Sequence, residues 1–329
     1  MPPAPPAQSF AKDWGRFNPD FNTLAFDRAL GYAPRVKFQK LAIIGVGLLG
    51  GSIGLAVRQR GLAGEVAGYV RRSASLAECE QAGALDYATT DLLAAVSGAD
   101  LVILCTPLAQ MRTVATQFLP ALSAGAVVTD VGSVKASVVR DLETLVTRAG
   151  AHFVASHPMA GGEKTGVLAA RADLFANAVC VVTPTKKTHP PSLKAVEQFW
   201  KDLGARILRL SPNEHDKLVS RSSHLPHVVA AALARQVLRP QKSTAQGALC
   251  ATGFRDTTRI ASGSPEMWRD IALANRSHLA EAVGTFIGEL EKFQRSLAKG
   301  DEKAVEQFFA TAKQRRDAWC ACGAGYSTE

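Results

Sequence analysis

Two polar residues that follow a short apolar segment have side chains suited to a hydroxylated acid. Ser133 and Lys135 come just after residues 126–130, which form a predicted β-strand. The Ser133 hydroxyl could orient a substrate hydroxyl, and the Lys135 ammonium could meet a carboxylate. A serine at this place also suits the cap of the helix expected over 134–149. The sequence leaves both interpretations of Ser133 open.

A histidine follows the next predicted strand in the same way. His157 comes after residues 152–154 and directly before a glycine-rich loop. An imidazole has an unperturbed pKa of about 6.5, close to the pH at which most enzymes work, so His157 is a candidate general base. A structural histidine that hydrogen-bonds the loop backbone is the alternative.

A third polar cluster lies in the second half of the chain. His224 and His227 are three residues apart and can share one face of a helix. No further ligands stand at metal-binding spacing, so we expect no metal site. Arg255 and Arg259 are four residues apart, and we expect at most one of them against a ligand carboxylate, with Asp256 available to the other. Surface ion pairs are the alternative for each charged residue.

The glycine pattern at residues 45–50 predicts a turn that binds a dinucleotide. An apolar strand over 41–44 leads into Gly45-x-Gly47-x-x-Gly50, and a helix rich in small residues follows. Gly45 allows the tight turn, Gly47 lets the backbone approach the phosphates, and Gly50 lets the helix pack close to the strand. The helix N-terminus presents free N–H groups to the anion. A plain tight turn is the alternative.

The end of the second strand bears on which dinucleotide is bound. NAD sites of this type place an acid about 20 residues after the glycines, on the ribose 2′-hydroxyl. Residues 66–70 end without an acid, and Arg71, Arg72 and Ser73 follow. These donors suit a 2′-phosphate, so we favour NADP, with NAD as the alternative. The other interpretation is that both arginines are turn residues exposed to solvent. The predicted cofactor-binding residues are Gly45, Gly47, Leu48, Leu49, Gly50, Arg71, Arg72, Ser73, Thr106 and Pro107.

The elements that must position these residues form two groups. From residue 40 to about 183, short apolar strands, the last of them over 179–182, alternate with helical patterns, which predicts an α/β fold with a doubly wound parallel sheet. We assign a helix over 192–203 and a short strand over 205–210 to the same domain. From 212 onward the periodicity is helical, and helices with wide apolar faces often pair with a second subunit. We therefore predict a flexible leader over 1–37, an NADP-binding domain over 38–211 and an all-helical substrate and dimerisation domain over 212–329.

Composition excludes several function classes. The chain has 329 residues, 47% of them hydrophobic, and a formal net charge of +9. Its basic residues neither form long runs nor alternate with aromatics, so a nucleic-acid partner is not expected. The diffuse positive charge would instead steer small anions towards a cleft. Neither a membrane-spanning segment nor a secretory signal is predicted. The six scattered cysteines suit a reducing cytoplasm.

Six motifs, taken together, resemble the prephenate/arogenate dehydrogenase family. They run in family order over about 230 residues, from the glycine turn to Ile271: GVGLLGGSIG (45–54), DVGSVK (130–135), HPMAGGEKTGV (157–167), SHLPH (223–227), GFRDTTRIA (253–261) and MWRDI (267–271). The resemblance implies a Rossmann-type domain followed by a helical dimerisation domain, and therefore a homodimer.

The resemblance also implies roles for individual residues. The catalytic pair, Ser133 and His157, would contact the ring hydroxyl of a dianionic substrate. Arg259 would bind a substrate carboxylate, and Trp268 would reach across the dimer into the partner's site. The remaining pocket residues implied by the resemblance are Glu163, Ser223, His224 and His227.

The activity that the resemblance implies is the oxidative decarboxylation of prephenate to 4-hydroxyphenylpyruvate, in tyrosine biosynthesis. Gly162 stands where a small hydroxyl residue is often found before Glu163, so arogenate, or both substrates, stays open. The segments before residue 40 and after about 317 are too short for a fused mutase or a regulatory domain, so we expect a monofunctional enzyme. The alternatives of other classes are a non-catalytic NADP-binding sensor and a β-hydroxy acid dehydrogenase.

Overall fold

The computed structural model describes residues 37–162, 164–239 and 244–321, so the predicted leader lies outside the described residues except for Lys37. The chain divides into two compact units, one over residues 34–282 and one that includes residues 283–321. The predicted boundary at 211 falls where the last strand gives way to helices, whereas the first compact unit continues to 282.

A six-stranded parallel sheet organises the first unit. Its strands stand in the order β3-β2-β1-β4-β5-β6, and every neighbouring pair is parallel. This order is that of a Rossmann-type doubly wound sheet, so the fold prediction is confirmed. The strands are β1 (Phe38–Ile44), β2 (Ala63–Tyr69), β3 (Tyr87–Thr89), β4 (Leu101–Leu104), β5 (Val127–Asp130) and β6 (His152–Val154).

Both faces of this sheet are buried, which explains the continuous apolar runs in its strands. Because side chains alternate along a strand, Leu41 and Ile43 of β1 face one hydrophobic core while Ala42 and Ile44 face another. The helices that cover the sheet are α1 (Leu48–Arg60), α2 (Ala74–Ala82), α3 (Leu92–Val96), α4 (Met111–Phe118) and α5 (Ala136–Arg148).

A second, three-stranded sheet was not predicted. The sequence pattern placed residues 179–182 in the main sheet and gave no strand at 156–158. The structure instead pairs β7 (Ser156–Pro158) antiparallel with β8 (Val179–Val182), and β8 pairs parallel with β9 (Arg206–Arg209). Only Ala155 separates β6 from β7. A change of sheet after one residue leaves no turn signal in the sequence.

Two of the helices that follow β9 begin with marked cap residues. Ser211 and Glu214 form a capping box at the start of one helix, and the Ser264 hydroxyl accepts a hydrogen bond from Met267 N at the start of another. Helix α6 (Pro190–Asp202) connects β8 to β9, and the helices after β9 are α7 (Pro212–Val219), α8 (Leu225–Val237), α9 (Thr244–Ala248), α10 (Thr252–Thr258) and α11 (Pro265–Ala274).

Two long helices provide the described part of the second unit. They are α12 (Arg276–Lys299), whose first residues belong to the first unit, and α13 (Glu302–Ala321). The Phe293 ring packs on Phe308 with ring centroids 4.5 Å apart. Ile287, Leu290 and Phe309 stay exposed and leave apolar surface on both helices. Among the described residues, no helix is long and apolar enough to cross a membrane.

Two glycines of the turn after β1 provide a matched pair of substitutions. A Cβ built at Gly50 would lie 2.3 Å from Gly45 O, whereas a Cβ at Gly47 has nothing within 4 Å. We expect Gly50→Ala to reduce the free energy of unfolding by about 1–3 kcal/mol, because backbone must move to admit the methyl group. Gly47→Ala should stay within about 0.5 kcal/mol of the wild type. Urea unfolding of both variants tests this, and equal stabilities would contradict the packing assigned to Gly50.

Candidate active site

The carboxyl ends of the central strands bring several of the predicted site residues to one edge of the sheet. Ile44 of β1 pairs with Leu104 of β4, and Leu104 pairs with Asp130 of β5. The chain leaves each strand there, and in a doubly wound sheet ligands bind outside this edge. The glycine turn, Thr106 and Ser133 all come directly after these strands.

The glycine turn has the shape that a diphosphate requires. Gly45 has φ +99°, and a Cβ there would lie 2.9 Å from the Cys105 carbonyl oxygen. Packing within the chain therefore requires glycine at 45 and 50, whereas the space above Gly47 is open. Gly47 is the N-cap of α1 and forms no side-chain cap hydrogen bond. The first N–H groups of α1, including those of Leu48 and Leu49, are thus left for an anion.

A buried hydroxyl beside this turn has no partner of its own. Thr106 Oγ1 is buried and forms no hydrogen bond with the described residues, and Thr106 N would lie 3.2 Å from a Cβ at Gly45. Buried hydroxyls are normally satisfied, so this one marks a position for a ligand atom. The open surface at Gly47 and the unpartnered Thr106 fit a bound dinucleotide, next to Pro107, which is exposed.

The residues after β2 are exposed at the same edge. Val70 continues the strand by donating its N–H to Thr89 O, and Arg71, Arg72 and Ser73 follow with exposed side chains. Within the described residues neither guanidinium forms an ion pair, so both are available to a ligand phosphate.

The side chain of Lys135 is not available to a substrate. It is fully buried, forms an ion pair with Asp130, and donates a 2.7 Å hydrogen bond to Ser156 O. Burial lowers the Lys135 pKa, and the charge of Asp130 opposes that effect. The expectation that Lys135 could meet a substrate carboxylate is therefore wrong. Its role is to hold the loop after β5 against β7.

The structure answers the question of what caps the helix after Ser133. Helix α5 begins at Ala136, and its N-cap residue, Lys135, provides no side-chain cap. Asp216 of α7 accepts hydrogen bonds from Lys135 N at 2.7 Å and from Ala136 N at 2.9 Å. Asp216 thus replaces a local cap. The half-buried Ser133 does not cap the helix, so its hydroxyl can serve a ligand.

His157 bonds to another histidine rather than to the loop backbone. Its Nδ1 lies 2.8 Å from His215 Nε2, and His215 Nδ1 lies 2.7 Å from Asp216 Oδ1. Burial lowers the His157 pKa well below its ordinary value, and His215, Lys135 and His224 lower it further. At neutral pH His157 is therefore an uncharged imidazole, the form that can accept a proton.

A π-helical segment over Ser220–His224 connects α7 to α8 and aims His224 inward. Pro226 follows it and has no N–H to donate to the preceding turn, a common cause of such a distortion. Asn275 Nδ2 donates to Asp216 O at 2.8 Å, which fixes the orientation of the amide, and the same nitrogen lies 3.2 Å from His224 Nδ1. His224 Nδ1 is therefore an acceptor, and the proton of the neutral ring is on Nε2.

The Nε2–H group of His224 is buried and forms no hydrogen bond of normal distance and angle among the described residues, and the Ser133 backbone is the weak acceptor beside it. Burial lowers the His224 pKa to about 4, so the ring is neutral near pH 7. The backbone of Ser133 has the opposite effect on this pKa, which places the ring beside the loop after β5. The part of the chain that the structure describes contains no group of three or more His, Cys, Asp or Glu residues arranged to hold a metal ion.

His227 and Trp268 form a stacked pair. Their ring centroids are 3.7 Å apart, and His227 Nδ1 lies 3.0 Å from Ser223 O. The resemblance implied that Trp268 reaches a partner's site, whereas its ring here lies on a histidine of its own chain. A Cβ at Gly263 would come within 2.7 Å of Trp268 Nε1, so glycine at 263 makes room for this position of the ring.

Of the remaining predicted pocket residues, Arg259 lies at the surface and Glu163 lies outside the described residues. Arg259 begins a short 3-10 turn after α10, and its side chain is exposed, as are those of Arg255 and Asp256.

Three residues that connect the site were not identified from the sequence: His215, Asp216 and Asn275. Each is buried and bonded to another site residue. The capping box at Ser211 and Glu214 marks the start of α7, but a helix start does not indicate which of its side chains turns inward.

The comparisons with known proteins cover both parts of the chain. A family model described as the nucleotide-binding domain of prephenate dehydrogenase matches residues 53–209, and one described as its dimerization domain matches residues 211–314. The prephenate dehydrogenase of Bacillus subtilis is 34% identical over 279 residues, which cover 84% of this chain and 75% of that protein. The cyclohexadienyl dehydrogenase of Zymomonas mobilis is 33% identical, covering 85% of this chain and 95% of that protein.

Solved structures agree with these matches. The prephenate dehydrogenase of Aquifex aeolicus, in complex with hydroxyphenyl propionate and NAD+, is 33% identical with a TM-score of 0.79, covering 85% of this chain and 98% of that chain. Arogenate dehydrogenase of Synechocystis is 28% identical with a TM-score of 0.71, covering 85% and 99%. The resemblance inferred from the six motifs is thereby confirmed, and this chain belongs to the prephenate dehydrogenase family.

Proposed function

We propose that this protein is a dehydrogenase that oxidatively decarboxylates prephenate to 4-hydroxyphenylpyruvate, in tyrosine biosynthesis, with a nicotinamide dinucleotide as the hydride acceptor. The observation that carries the proposal is the buried, neutral His157, one of whose ring nitrogens is held by His215. Such a ring is a general base at the edge of the sheet where a dinucleotide and a substrate would meet.

The residues of the glycine turn, with Thr106 and Pro107, would hold the dinucleotide, which accepts a hydride when bound. His157 takes the proton of the C4 hydroxyl of prephenate as the C4–H bond gives up its hydride, and a C4 carbonyl forms. The ring carboxylate leaves as CO₂, and its bonding electrons enter the ring to give an aromatic phenolate. The proton on His157 then passes to the phenolate oxygen, so the reaction releases no net proton.

The substrate carries two carboxylates, and the site provides donors for them. We assign the hydroxyl-orienting role to Ser133, which does not cap α5. The buried Nε2–H of His224 is a donor that a substrate oxygen would satisfy. Arg259 would pair with a carboxylate. Glu163, Ser223, His227 and Trp268 would complete the pocket.

The domain organisation supports a homodimer. We propose that residues 38–211 bind the dinucleotide and that residues 212–329 provide substrate contacts and the dimer interface. The exposed apolar side chains of α12 and α13 could pack against a second copy of the chain. The match of residues 211–314 to a dimerization domain supports the same assembly.

Arogenate is the second candidate substrate. Gly162 leaves out the hydroxyl that the family often places next to Glu163, and the similar proteins include an arogenate dehydrogenase and a cyclohexadienyl dehydrogenase. Activity on arogenate would give tyrosine directly.

Steady-state assays with prephenate and with arogenate, each with NAD+ and NADP+, test the proposed function. We expect formation of reduced dinucleotide with prephenate. Turnover of arogenate alone would replace the substrate and keep the family activity. Tight dinucleotide binding without turnover in any of the four assays would favour a sensor and overturn the proposed function.

The arginines after β2 support NADP over NAD. We expect the double variant Arg71→Ala/Arg72→Ala to raise KM for NADP+ by about 10-fold or more, because each charge-assisted hydrogen bond to a phosphate contributes about 1.5–3 kcal/mol. The KM for NAD+ should change much less. Arg140→Ala removes an exposed arginine elsewhere and serves as the control. Equal effects on the two dinucleotides would contradict the NADP preference.

Loss of the base should affect the chemical step. We expect His157→Asn to reduce kcat by about 10²- to 10⁴-fold while dinucleotide binding is retained. The exposed His189, exchanged for glutamine, provides a control histidine. A kcat close to that of the wild type in the His157 variant would exclude this residue as the base.

The pH dependence of kcat/KM reports the same group in the free enzyme. The His157 pKa lies well below 6.5, so the unprotonated base persists as the pH falls through 6.5, and the acidic loss of activity should come at lower pH. An acidic limb centred at pH 6.5 or above would contradict this. The ionisable groups around His157 are Asp130, Lys135, Cys180, His215, Asp216 and His224.

A further inference from the structure

The hydrogen-bond chain behind His157 has only one consistent arrangement of protons. Asp216 Oδ1 already accepts the N–H of Lys135, and Oδ2 accepts the N–H of Ala136. A carboxylate held by two backbone donors at a helix N-terminus is an acceptor. The nitrogen that faces it, His215 Nδ1, lies 2.7 Å away and must be the donor.

The position of this proton fixes the proton of the next ring. His215 is fully buried, and burial lowers its pKa, so the ring is neutral and has a single proton. Because that proton is on Nδ1, His215 Nε2 has a lone pair. His157 Nδ1 lies 2.8 Å from that lone pair and can approach it only as an N–H donor.

We infer that His215 and Asp216 are positioning residues for the base: they hold the proton of neutral His157 on Nδ1 and leave Nε2 as the atom that accepts the substrate hydroxyl proton. The inference rests on the proposed function, because it names the working atom of the same base. A histidine without such a partner would exchange between two tautomers, one of which has a proton on Nε2 and cannot act as the base.

His215 and Asp216 also stabilise the His157 ring after it has accepted the proton. Protonated His157 still donates from Nδ1 to His215 Nε2, and the His215 Nδ1–H still points at the Asp216 carboxylate. The charge formed on His157 therefore faces an oriented dipole that ends in an anion. Orientation of a catalytic histidine by a buried carboxylate has this effect in other enzymes, where an error in the tautomer costs several orders of magnitude in kcat.

The first test observes the tautomer without any substrate. Histidine labelled with ¹⁵N in the ring is incorporated into the full-length protein, and a two-bond ¹H–¹⁵N spectrum is recorded at neutral pH. The His157 signals are those missing from His157→Asn. We expect protonated Nδ1 and unprotonated Nε2 for His157, and the same pattern for His215. A proton on Nε2 of His157 would overturn the inference, even if the enzyme turns over prephenate.

The second test separates orientation from folding. His215→Gln keeps a carbonyl that can accept from His157 Nδ1 and an amide that can donate to Asp216, whereas His215→Leu fills a similar volume with neither group. We expect kcat of the leucine variant to fall by about 10- to 100-fold with little change in KM, the size of effect seen when the partner that orients a metal-binding histidine is lost. The glutamine variant should recover most of that loss.

Dinucleotide affinity, measured on both variants, controls for folding. Equal losses of kcat in the glutamine and leucine variants would show a merely structural role and overturn the inference, as would a leucine variant with wild-type kcat. If the leucine variant does not fold, the tautomer spectrum of the wild type and the kcat of the glutamine variant decide the matter. Absence of turnover in the wild type together with the expected tautomer would overturn only the proposed function.

Discussion

A single carboxylate, that of Asp216, connects the parts of the active site. It accepts two backbone N–H groups at the start of α5 and one ring nitrogen of His215. Hydrogen bonds to a charged group each contribute about 1.5–3 kcal/mol. The backbone carbonyl of the same residue accepts from Asn275, which in turn contacts His224. The positions of the loop after β5 and of two site histidines thus depend on one residue of α7.

A buried ion pair holds the backbone next to His157. Asp130 and Lys135 are both fully buried, and Lys135 also donates to the backbone of Ser156, which lies next to His157. The Ser156 hydroxyl donates to Asp130 O and accepts from Trp200 Nε1. Ion pairs of this kind contribute little net stability, because desolvation offsets the attraction, but removal of one partner leaves a buried charge. We interpret the pair as a device that fixes the backbone between β5 and β7.

Local signals explain what could be predicted from the sequence. One glycine of the turn is specified by neighbours in the chain, since Gly50 lies against Gly45 and Ile43, and the alternation of apolar strands with helices specifies the parallel sheet. The histidine after β6 was found because it follows a strand end. These features depend on residues close together in the sequence.

The features that sequence analysis missed depend on contacts between distant parts of the chain. Asp216 caps a helix that begins 80 residues earlier, so the sequence could not decide whether Ser133 is the cap. The sequence position of Lys135 suggests an anion-binding lysine, whereas the fold buries its side chain against Asp130. The second sheet depends on strands of three and four residues, which are too short to show a period.

The most direct test of this account is a crystal structure of the wild-type protein with a nicotinamide dinucleotide and a 4-hydroxyphenyl acid as product analogue. We expect the phenolic oxygen within hydrogen-bond distance of His157 Nε2 and Ser133 Oγ, with the carboxylate of the acid directed away from His157. A phenolic oxygen bound elsewhere, with the carboxylate on His157, would contradict it.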